Sequence, residues 1–359
     1  YQNPLLNPPT LANILEFWKN PYAGLYIPTT YTLWSLISTL AFDASKPLQY
    51  GTPRLNPVWF HLANLMFHTL NTYLVVLICR RIFDLHDRLH RVKLRADLWK
   101  GAPFIAGVFF AIHPLQVEAV SWGAAFKDLI SAHFCLSATY WYLRNVETPQ
   151  RKDYWLITMA NYALACLSKP GAVSWLAALW AIGALLLRQN SVKTAWKLSP
   201  GLVVAAIIYS ITSDVQASKI EFIVPWLDRP KIVLDALGIY VAHVLMPLGL
   251  TTDYGRLPRL VIESPVSWLW ASFGACVIVL TFWSMRRDKW RAATTSSVIF
   301  LSALLPMLGL VPFMFQNFST VADHYAYSAM LGPSLGVGFV LRFASPRIRW
   351  LGAFILLLY

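Results

Sequence analysis

Long blocks of apolar residues recur along the 359-residue chain and limit the folds that are open to it. A helix that crosses a bilayer needs about 20 mostly apolar residues, because the hydrocarbon core is about 30 Å thick. Hydrophobic residues make up 57% of the chain and charged residues only 13%, whereas soluble domains carry about 25% charged residues. The blocks therefore predict an all-α polytopic membrane protein and exclude an ordinary soluble enzyme.

The number of blocks predicts about 10–11 transmembrane or re-entrant helices. The blocks lie at 58–79, 101–112, 129–143, 154–168, 171–187, 200–211, 232–250, 266–284, 294–313, 325–341 and 350–359. We expect residues 1–57 to form a first non-cytoplasmic loop with an amphipathic helix at about 30–42, and residues 58–359 to form the multi-helix domain. Tyr1 is not a methionine and Tyr359 lies inside an apolar run, so we expect the chain to be a fragment of a longer protein.

Lysine and arginine concentrate in five connections between the blocks, at 80–100, 144–153, 188–197, 286–291 and 342–349. These segments hold 20 of the 30 basic residues. Retention of positive charge on the cytoplasmic side explains such a split. We expect cytoplasmic basic loops in a bacterial inner membrane or the endoplasmic reticulum. The net charge of +13 then serves contacts with the lipid bilayer, and no basic face with stacking aromatics indicates nucleic acid.

If the basic connections are cytoplasmic, one block must begin and end on the same side of the membrane. If 200–211 runs outward and 266–284 runs inward, block 232–250 must begin and end on the non-cytoplasmic side. Either this block is re-entrant or interfacial, or a neighbouring boundary is misplaced. The sequence leaves both alternatives open.

Ionisable residues gather in three places on the predicted non-cytoplasmic side. The string HPLQVEAVSWGAAFKD carries His113, Glu118, Lys127 and Asp128; a Pro-Gly break carries Lys169; and QNFSTVADHYAY carries Asp323, His324 and Tyr325. Such groups are costly near a membrane unless they are paired or used. Ordinary roles are open to all of them, namely ending a helix, capping a helix N-terminus or extending a lysine to the interface.

Four strings occur in an order that resembles one protein family. They are NPVWFHLANLMFHTLNTYLVVLI (56–78), FAIHPLQVEAVSWGAAFKDLIS (110–131), ACLSKPGAVSW (165–175) and VADHYAYSAMLGP (321–333). Over about residues 1–345 the chain resembles the transmembrane and tetratricopeptide-repeat O-mannosyltransferase-like proteins of the glycosyltransferase C superfamily. The resemblance implies a glycosyltransferase C-like membrane domain with its site facing the periplasm or lumen. It also implies a polyprenyl-phosphate sugar as donor. The family's acidic pair would lie before Tyr1, and a soluble repeat domain would follow the membrane domain.

Sugar transfer from a lipid phosphate to a hydroxyl needs a proton acceptor, a cation at the leaving phosphate and a groove for the lipid tail. Among the residues present, Glu118 and Asp128 are the candidate proton acceptors. Lys127, Lys169 and His324 are candidate contacts for the donor phosphate, with His113, Asp323 and Tyr325 in support. Asp323 could orient His324 or help hold a divalent metal, and blocks 129–143 and 171–187 could wall the groove. We expect these residues to converge on one cavity.

Two other function classes fit the same features. A non-catalytic membrane scaffold, or an accessory subunit that binds other membrane proteins in a larger complex, would keep the fold without the chemistry. A transporter would fit the broken helices at Pro170 and Pro200, but the sequence contains no inverted repeat. The sequence does not specify the sugar, expected to be a mannose or another hexose, or whether the acceptor is a protein or a lipid.

The predicted orientation can be tested by chemical labelling. A cysteine placed at Arg91 should stay unlabelled by a membrane-impermeant maleimide in intact cells, because Arg91 lies in the most basic of the five connections. It should react once the membrane is permeabilised. Strong labelling from outside would overturn the orientation.

Overall fold

A computed structural model describes residues 3–45, 54–89, 99–217, 220, 222–349 and 352. The middle of the basic segment 80–100 and nearly all of block 350–359 lie outside the described residues. The described part is helical, which confirms the all-α prediction. Its α-helices are α1 (Leu11–Lys19), α2 (Pro28–Ala41), α3 (Pro57–Leu89), α4 (Ala102–Ile112), α5 (Val117–Ser121), α6 (Phe126–Glu147), α7 (Lys152–Ser168), α8 (Trp175–Trp180), α9 (Ser191–Leu198), α10 (Pro200–Ala217), α11 (Arg229–Leu245), α12 (Pro258–Glu263), α13 (Ser267–Met285), α14 (Arg291–Leu304) and α15 (Leu331–Phe343).

Few of these helices cross a membrane by length alone. Within the described residues α3 and α13 are long and apolar enough, and two bent pairs raise the number to at most four. One bent pair is α4 with residues 114–121, and the two parts meet at 54°. The break follows from Pro114, whose ring and missing amide hydrogen disfavour a continued helix. The number of apolar blocks therefore overestimates the number of straight membrane-spanning helices, because a block can contain a break.

The described parts of all five basic segments meet at one end of the helix bundle. Three ion pairs connect these segments: Arg81 with Glu147 at 2.5 Å, Arg342 with Asp87, and Arg188 with Asp288 at 3.3 Å. In addition, the Lys197 ammonium donates a hydrogen bond to the Asn145 side chain. The candidate site residues lie at the opposite helix ends. α4 ends just before His113, α6 begins just before Asp128, and α7 ends just before Lys169. The structure thus separates the basic loops from the candidate site.

Helices α11 and α13 run parallel. The Lys231 ammonium near the start of α11 lies 4.7 Å from the Trp268 ring near the start of α13. Farther along, Leu245 and Val277 line the same groove. Parallel neighbours require a return connection, so residues 246–266 lead back to the end where α11 began. Segment 229–265 therefore begins and ends at one end of the bundle, in agreement with the re-entrant alternative for block 232–250.

The first two helices form a separate layer against the start of α3. Phe17 of α1 stacks on Tyr31 of α2 with ring centroids 4.4 Å apart. The Thr30 hydroxyl donates to the Ser168 carbonyl at 2.9 Å and so connects this layer to the end of α7. α2 nearly coincides with the helix expected at 30–42. The division into residues 1–57 and 58–359 stays a prediction.

A glycine at the α11–α13 contact offers a test of this packing. A Cβ on Gly238 would lie 2.1 Å from the Trp270 carbonyl oxygen, so Gly238→Ala should force the helices apart. We expect it to lower the free energy of unfolding in detergent by about 1–3 kcal/mol. Gly336→Ala is the matched control, since its Cβ would meet nothing closer than 3.5 Å and alanine favours a helix by about 1 kcal/mol. Equal stability of the two variants would contradict the contact.

Candidate active site

An ion pair between Asp128 and Lys169 joins the start of α6 to the end of α7. Asp128 lies in the first turn of α6, where the helix dipole favours a carboxylate. Lys169 directly follows α7 and precedes Pro170, which prevents that helix from continuing. The Lys169 ammonium donates to Asp128 Oδ1. The buried Oδ2 accepts no hydrogen bond, and the Lys127 ammonium lies 3.7 Å from it.

A second pair joins Glu118 of α5 to His324. The two carboxylate oxygens accept separate hydrogen bonds, one from the His324 backbone N–H and one from Nδ1, both at 2.8 Å. A carboxylate can only accept, so Nδ1 carries the proton. His324 lies in the 3-10 turn Asp323–Ala326, far from α5 in sequence. The pair therefore fixes both the turn and the imidazole plane, and leaves Nε2 available.

The two pairs meet at a small buried cavity of about 20 Å³. Asp128, Lys169, His324 and Tyr325 all line it, together with Ser131, Cys135, Trp175 and Tyr327. The Lys169 ammonium lies 4.5 Å from the centroid of the Tyr325 ring, which in turn lies 4.2 Å from that of His324. Three segments that are distant in sequence thus supply one charged cavity, as the sequence predicted for these residues.

The other candidates have different surroundings. His113 Nδ1 accepts from the Leu115 amide at 3.3 Å, and Nε2 lies 3.2 Å from the Val244 carbonyl. His113 therefore ends α4 and connects it to α11, which is the ordinary role considered for it. Lys127 donates to the Ala124 carbonyl at 3.1 Å. Its ammonium lies 3.7 Å from Asp128 Oδ2, but Lys127 itself does not line the cavity.

Asp323 does not orient His324, contrary to one expectation. Its carboxylate accepts a hydrogen bond from the Tyr254 hydroxyl at 2.7 Å and lies 3.9 Å from His243 Nδ1. The described residues contain no group of three side chains suited to hold a metal ion. Asp128 and Glu118 are instead engaged by a lysine and a histidine, and the divalent metal considered from the sequence stays a prediction.

Blocks 129–143 and 171–187, the expected walls of the lipid groove, are largely buried in the protein core, and Ser131, Cys135, Ala172 and Trp175 from them line the charged cavity. Their role as walls of a lipid groove stays a prediction. A separate groove of about 160 Å³ opens between α11, α13, α14 and α15. Its lining residues are largely apolar: Val241, Val244, Leu245, Val277, Ser296, Ser297, Phe300, Leu301 and Pro333.

Two features of the site were missed in the sequence. Tyr254 lies in an irregular connection, and nothing in its neighbourhood signals a contact with Asp323. The second feature did leave a signal, because Asn64, His68 and Asn71 recur at the spacing of one helix face. All three are buried on α3, and they contact the segments that carry the site.

The fold and the site define a helical membrane protein with a buried charged cavity at one end of its bundle. Comparison with known proteins relates this class to a family. The chain is 25% identical to Protein O-mannosyl-transferase TMTC3 of Mus musculus over 162 residues, which is 44% of this chain and 15% of that protein. It is 30% identical over 159 residues to Protein O-mannosyl-transferase Tmtc1 of Drosophila melanogaster, covering 44% of this chain and 16% of the relative.

A third relative, Protein O-mannosyl-transferase TMTC4 of Homo sapiens, is 25% identical over 167 residues, or 22% of its length. The resemblance predicted from the sequence is thus confirmed, over 44% of the chain and not over the whole of residues 1–345. The matched region spans about a fifth or less of these relatives. No family model and no solved structure matches the chain.

The environment of Asp323 predicts a titration near neutral pH. Burial raises the pKa of Asp323 to about 7, the nearby Glu118 carboxylate contributes to the rise, and the Tyr254 hydrogen bond opposes it. The folded protein then binds a proton that the unfolded chain, with a pKa of about 3.9, has released. The free energy of unfolding should therefore fall as the pH rises from about 4 to about 7.

Infrared spectroscopy of the protonated carboxyl band, assigned with Asp323→Asn, measures this titration directly. Tyr254→Phe should move the midpoint upward, because it removes the hydrogen bond that lowers the pKa. A midpoint below about 5 in the unsubstituted protein would contradict the burial of Asp323.

Proposed function

We propose that this chain is the membrane domain of a glycosyltransferase that moves a mannose, or another hexose, from a polyprenyl-phosphate donor to an acceptor hydroxyl. The relatives are named protein O-mannosyl-transferases, which supports a mannosyl donor and a protein acceptor. The distribution of basic residues supports a site on the non-cytoplasmic face. The membrane would be the endoplasmic reticulum or a bacterial inner membrane.

One observation carries the proposal, namely the charged cavity at the bundle end opposite the basic segments. Lys127 and Lys169 place two ammonium groups around Asp128, and His324 adds an imidazole to the same cavity. Buried charges are costly to maintain, so a cluster of this kind favours a role in binding a charged substrate. A lipid-linked phosphate would enter from the membrane plane and meet these cations at the end of the bundle.

The residues divide the chemistry between them. The acceptor oxygen forms a bond to the anomeric carbon of the sugar, and the bond from that carbon to the phosphate oxygen breaks. Lys169, Lys127 and His324 stabilise the negative charge that the polyprenyl phosphate keeps. The acceptor's proton goes to a carboxylate, for which Glu118 and Asp128 are the candidates in this chain. Asp128 also orients Lys169, and Glu118 orients His324.

The groove between α11 and α14 suits the isoprenoid tail. It is largely apolar, and Val244, which lines it, accepts a hydrogen bond from His113 at the end of α4. A lipid tail in this groove would therefore lie beside helices whose ends carry the site.

Paired substitutions test the catalytic assignment. Lys169→Met alone would leave Asp128 as an unpaired buried carboxylate, at a cost of about 3–5 kcal/mol. The double variant Asp128→Asn/Lys169→Met removes both charges together and should fold. A charged contact contributes about 1.5–3 kcal/mol, so we expect this variant to transfer sugar from polyprenyl-phosphate mannose in nanodiscs about 10- to 150-fold more slowly. Glu118→Gln should slow transfer by about 10²- to 10⁴-fold while donor binding is retained.

The matched control is Lys193→Met, because Lys193 is exposed on α9 at the basic end and should not affect transfer. Full activity of both the double variant and Glu118→Gln would contradict the assigned roles.

A membrane scaffold or accessory subunit remains the second candidate function. The observation that favours it is that Asp128 and Glu118 are already engaged by partners within the chain, Lys169 and His324. These pairs would then hold α6 to α7 and α5 to the Asp323–Ala326 turn without binding a substrate. Failure of the unsubstituted protein to bind polyprenyl phosphate or transfer sugar, with Glu118→Gln merely unfolding, would favour the scaffold.

A further inference from the structure

We propose that Asn64, His68 and Asn71, which we call the α3 stripe, are positioning residues for the charged cavity. Their spacing of four and three residues places them on one helix face, and all three are buried. None of them lines the cavity. Their effect on transfer rests on the proposed function, whereas their effect on the geometry of the cavity does not.

Asn64 holds the segment that carries Glu118. Its side-chain amide donates to the Val120 carbonyl at 3.0 Å and to the Trp122 carbonyl at 3.1 Å. These carbonyls lie where α5 ends and the 3-10 turn Gly123–Ala125 begins. The Val120 carbonyl lies in the last turn of α5, where carbonyls lack partners within their own helix, and in an apolar environment without water it needs another donor. Asn64 supplies that donor, and at the Trp122 carbonyl it adds to the Ala125 amide, which donates there at 3.0 Å.

Asn71 holds the segment that carries Asp128. Its amide donates to the carbonyl of Leu129, the next residue along the chain, at 3.0 Å. The same amide donates to the Tyr327 hydroxyl at 3.2 Å. Because Tyr327 follows His324 by three residues and lines the cavity, one side chain connects α6 to the turn that bears His324.

His68 connects Tyr327 to the end of α4. Its Nδ1 lies 2.9 Å from the Tyr327 hydroxyl, and its Nε2 lies 3.0 Å from the Ala111 carbonyl near the end of α4. A carbonyl only accepts, so Nε2 carries the proton and Nδ1 accepts from Tyr327. The α3 stripe therefore contacts the end of α5, the start of α6, the end of α4 and Tyr327. It does not contact α7, α8 or α14, which complete the walls of the cavity.

The direction of these hydrogen bonds also shows that the α3 stripe does not conduct protons. His133 Nδ1 lies 3.1 Å from the Asn71 side-chain oxygen, and that oxygen can only accept. The chain of hydrogen bonds then runs from His133 through Asn71, Tyr327 and His68 to a backbone carbonyl, where it stops. A proton could not be passed beyond that carbonyl, so the arrangement fixes geometry and is not a proton path.

Tyr327→Phe tests the proposal, because it removes one hydroxyl and keeps the ring. Tyr142→Phe is the matched control: Tyr142 is equally buried, and its hydroxyl donates to Gln189 at 3.1 Å at the basic end. Cys135 lines the cavity and reports on its geometry in a background without Cys79, Cys166 and Cys276. We expect Tyr327→Phe to raise the rate of Cys135 modification by a small membrane-permeant maleimide about fivefold or more, and Tyr142→Phe to leave it unchanged.

Transfer kinetics give a second readout. A misplacement of about 1 Å can slow catalysis about 100-fold, so Tyr327→Phe should lower kcat by about 10- to 100-fold. Its KM for the donor should stay near that of the unsubstituted protein. His68→Gln keeps one donor and one acceptor, and should recover part of the loss seen in His68→Ala for both kcat and Cys135 protection.

The outcomes separate the two proposals. If the unsubstituted protein transfers no sugar, the proposed function fails, and Cys135 modification still decides the role of the α3 stripe. Equal Cys135 rates in Tyr327→Phe and Tyr142→Phe would overturn the positioning role. Should Tyr327→Phe not fold, the comparison of His68→Gln with His68→Ala replaces it, and equal Cys135 rates in those two variants would count against the stripe.

Discussion

The ion pair between Asp128 and Lys169 is the interaction on which the site depends, because neither charge could be kept in this apolar protein without the other. Removing water makes an unpaired charge far more costly than a paired one. The pair brings the start of α6 to the end of α7. Once these ends meet, the Lys169 ammonium faces Tyr325, and the turn bearing His324 can pair with Glu118.

The same absence of water explains the architecture around the pair. Helices that end inside the protein leave backbone carbonyls that need donors. His113 donates to such a carbonyl at the end of α11 and Asn64 to one at the end of α5, while Asn71 fixes the first turn of α6 through the Leu129 carbonyl. Broken helices and buried polar side chains are thus two parts of one arrangement. The breaks place ionisable groups away from lipid. The polar side chains offset the free-energy cost of the breaks, because they form hydrogen bonds with backbone groups at the helix ends.

Several parts of this description could be read from the sequence. The apolar blocks predict a helical membrane protein, since a bilayer fixes how many apolar residues a span needs. The clustering of Lys and Arg predicts which connections share one end, and contacts such as Arg81 with Glu147 agree with it. Glu118, Lys169 and His324 stand out because ionisable residues are rare in apolar surroundings. The sequence could not predict the partners of Asp323 and His113, because Tyr254 and Val244 are distant from them along the chain.

By itself, then, the sequence determined the helical membrane class, the separation of basic and site-bearing ends, and the residues that could form a site. All three follow from local composition, which a bilayer sorts by polarity and charge. Only the tertiary structure decided which charge pairs with which, that α11 and α13 run parallel, and that the apolar groove lies beside α11 and not beside α6. Those outcomes depend on helix packing and on hydrogen bonds between residues as distant as Glu118 and His324, which no local pattern encodes.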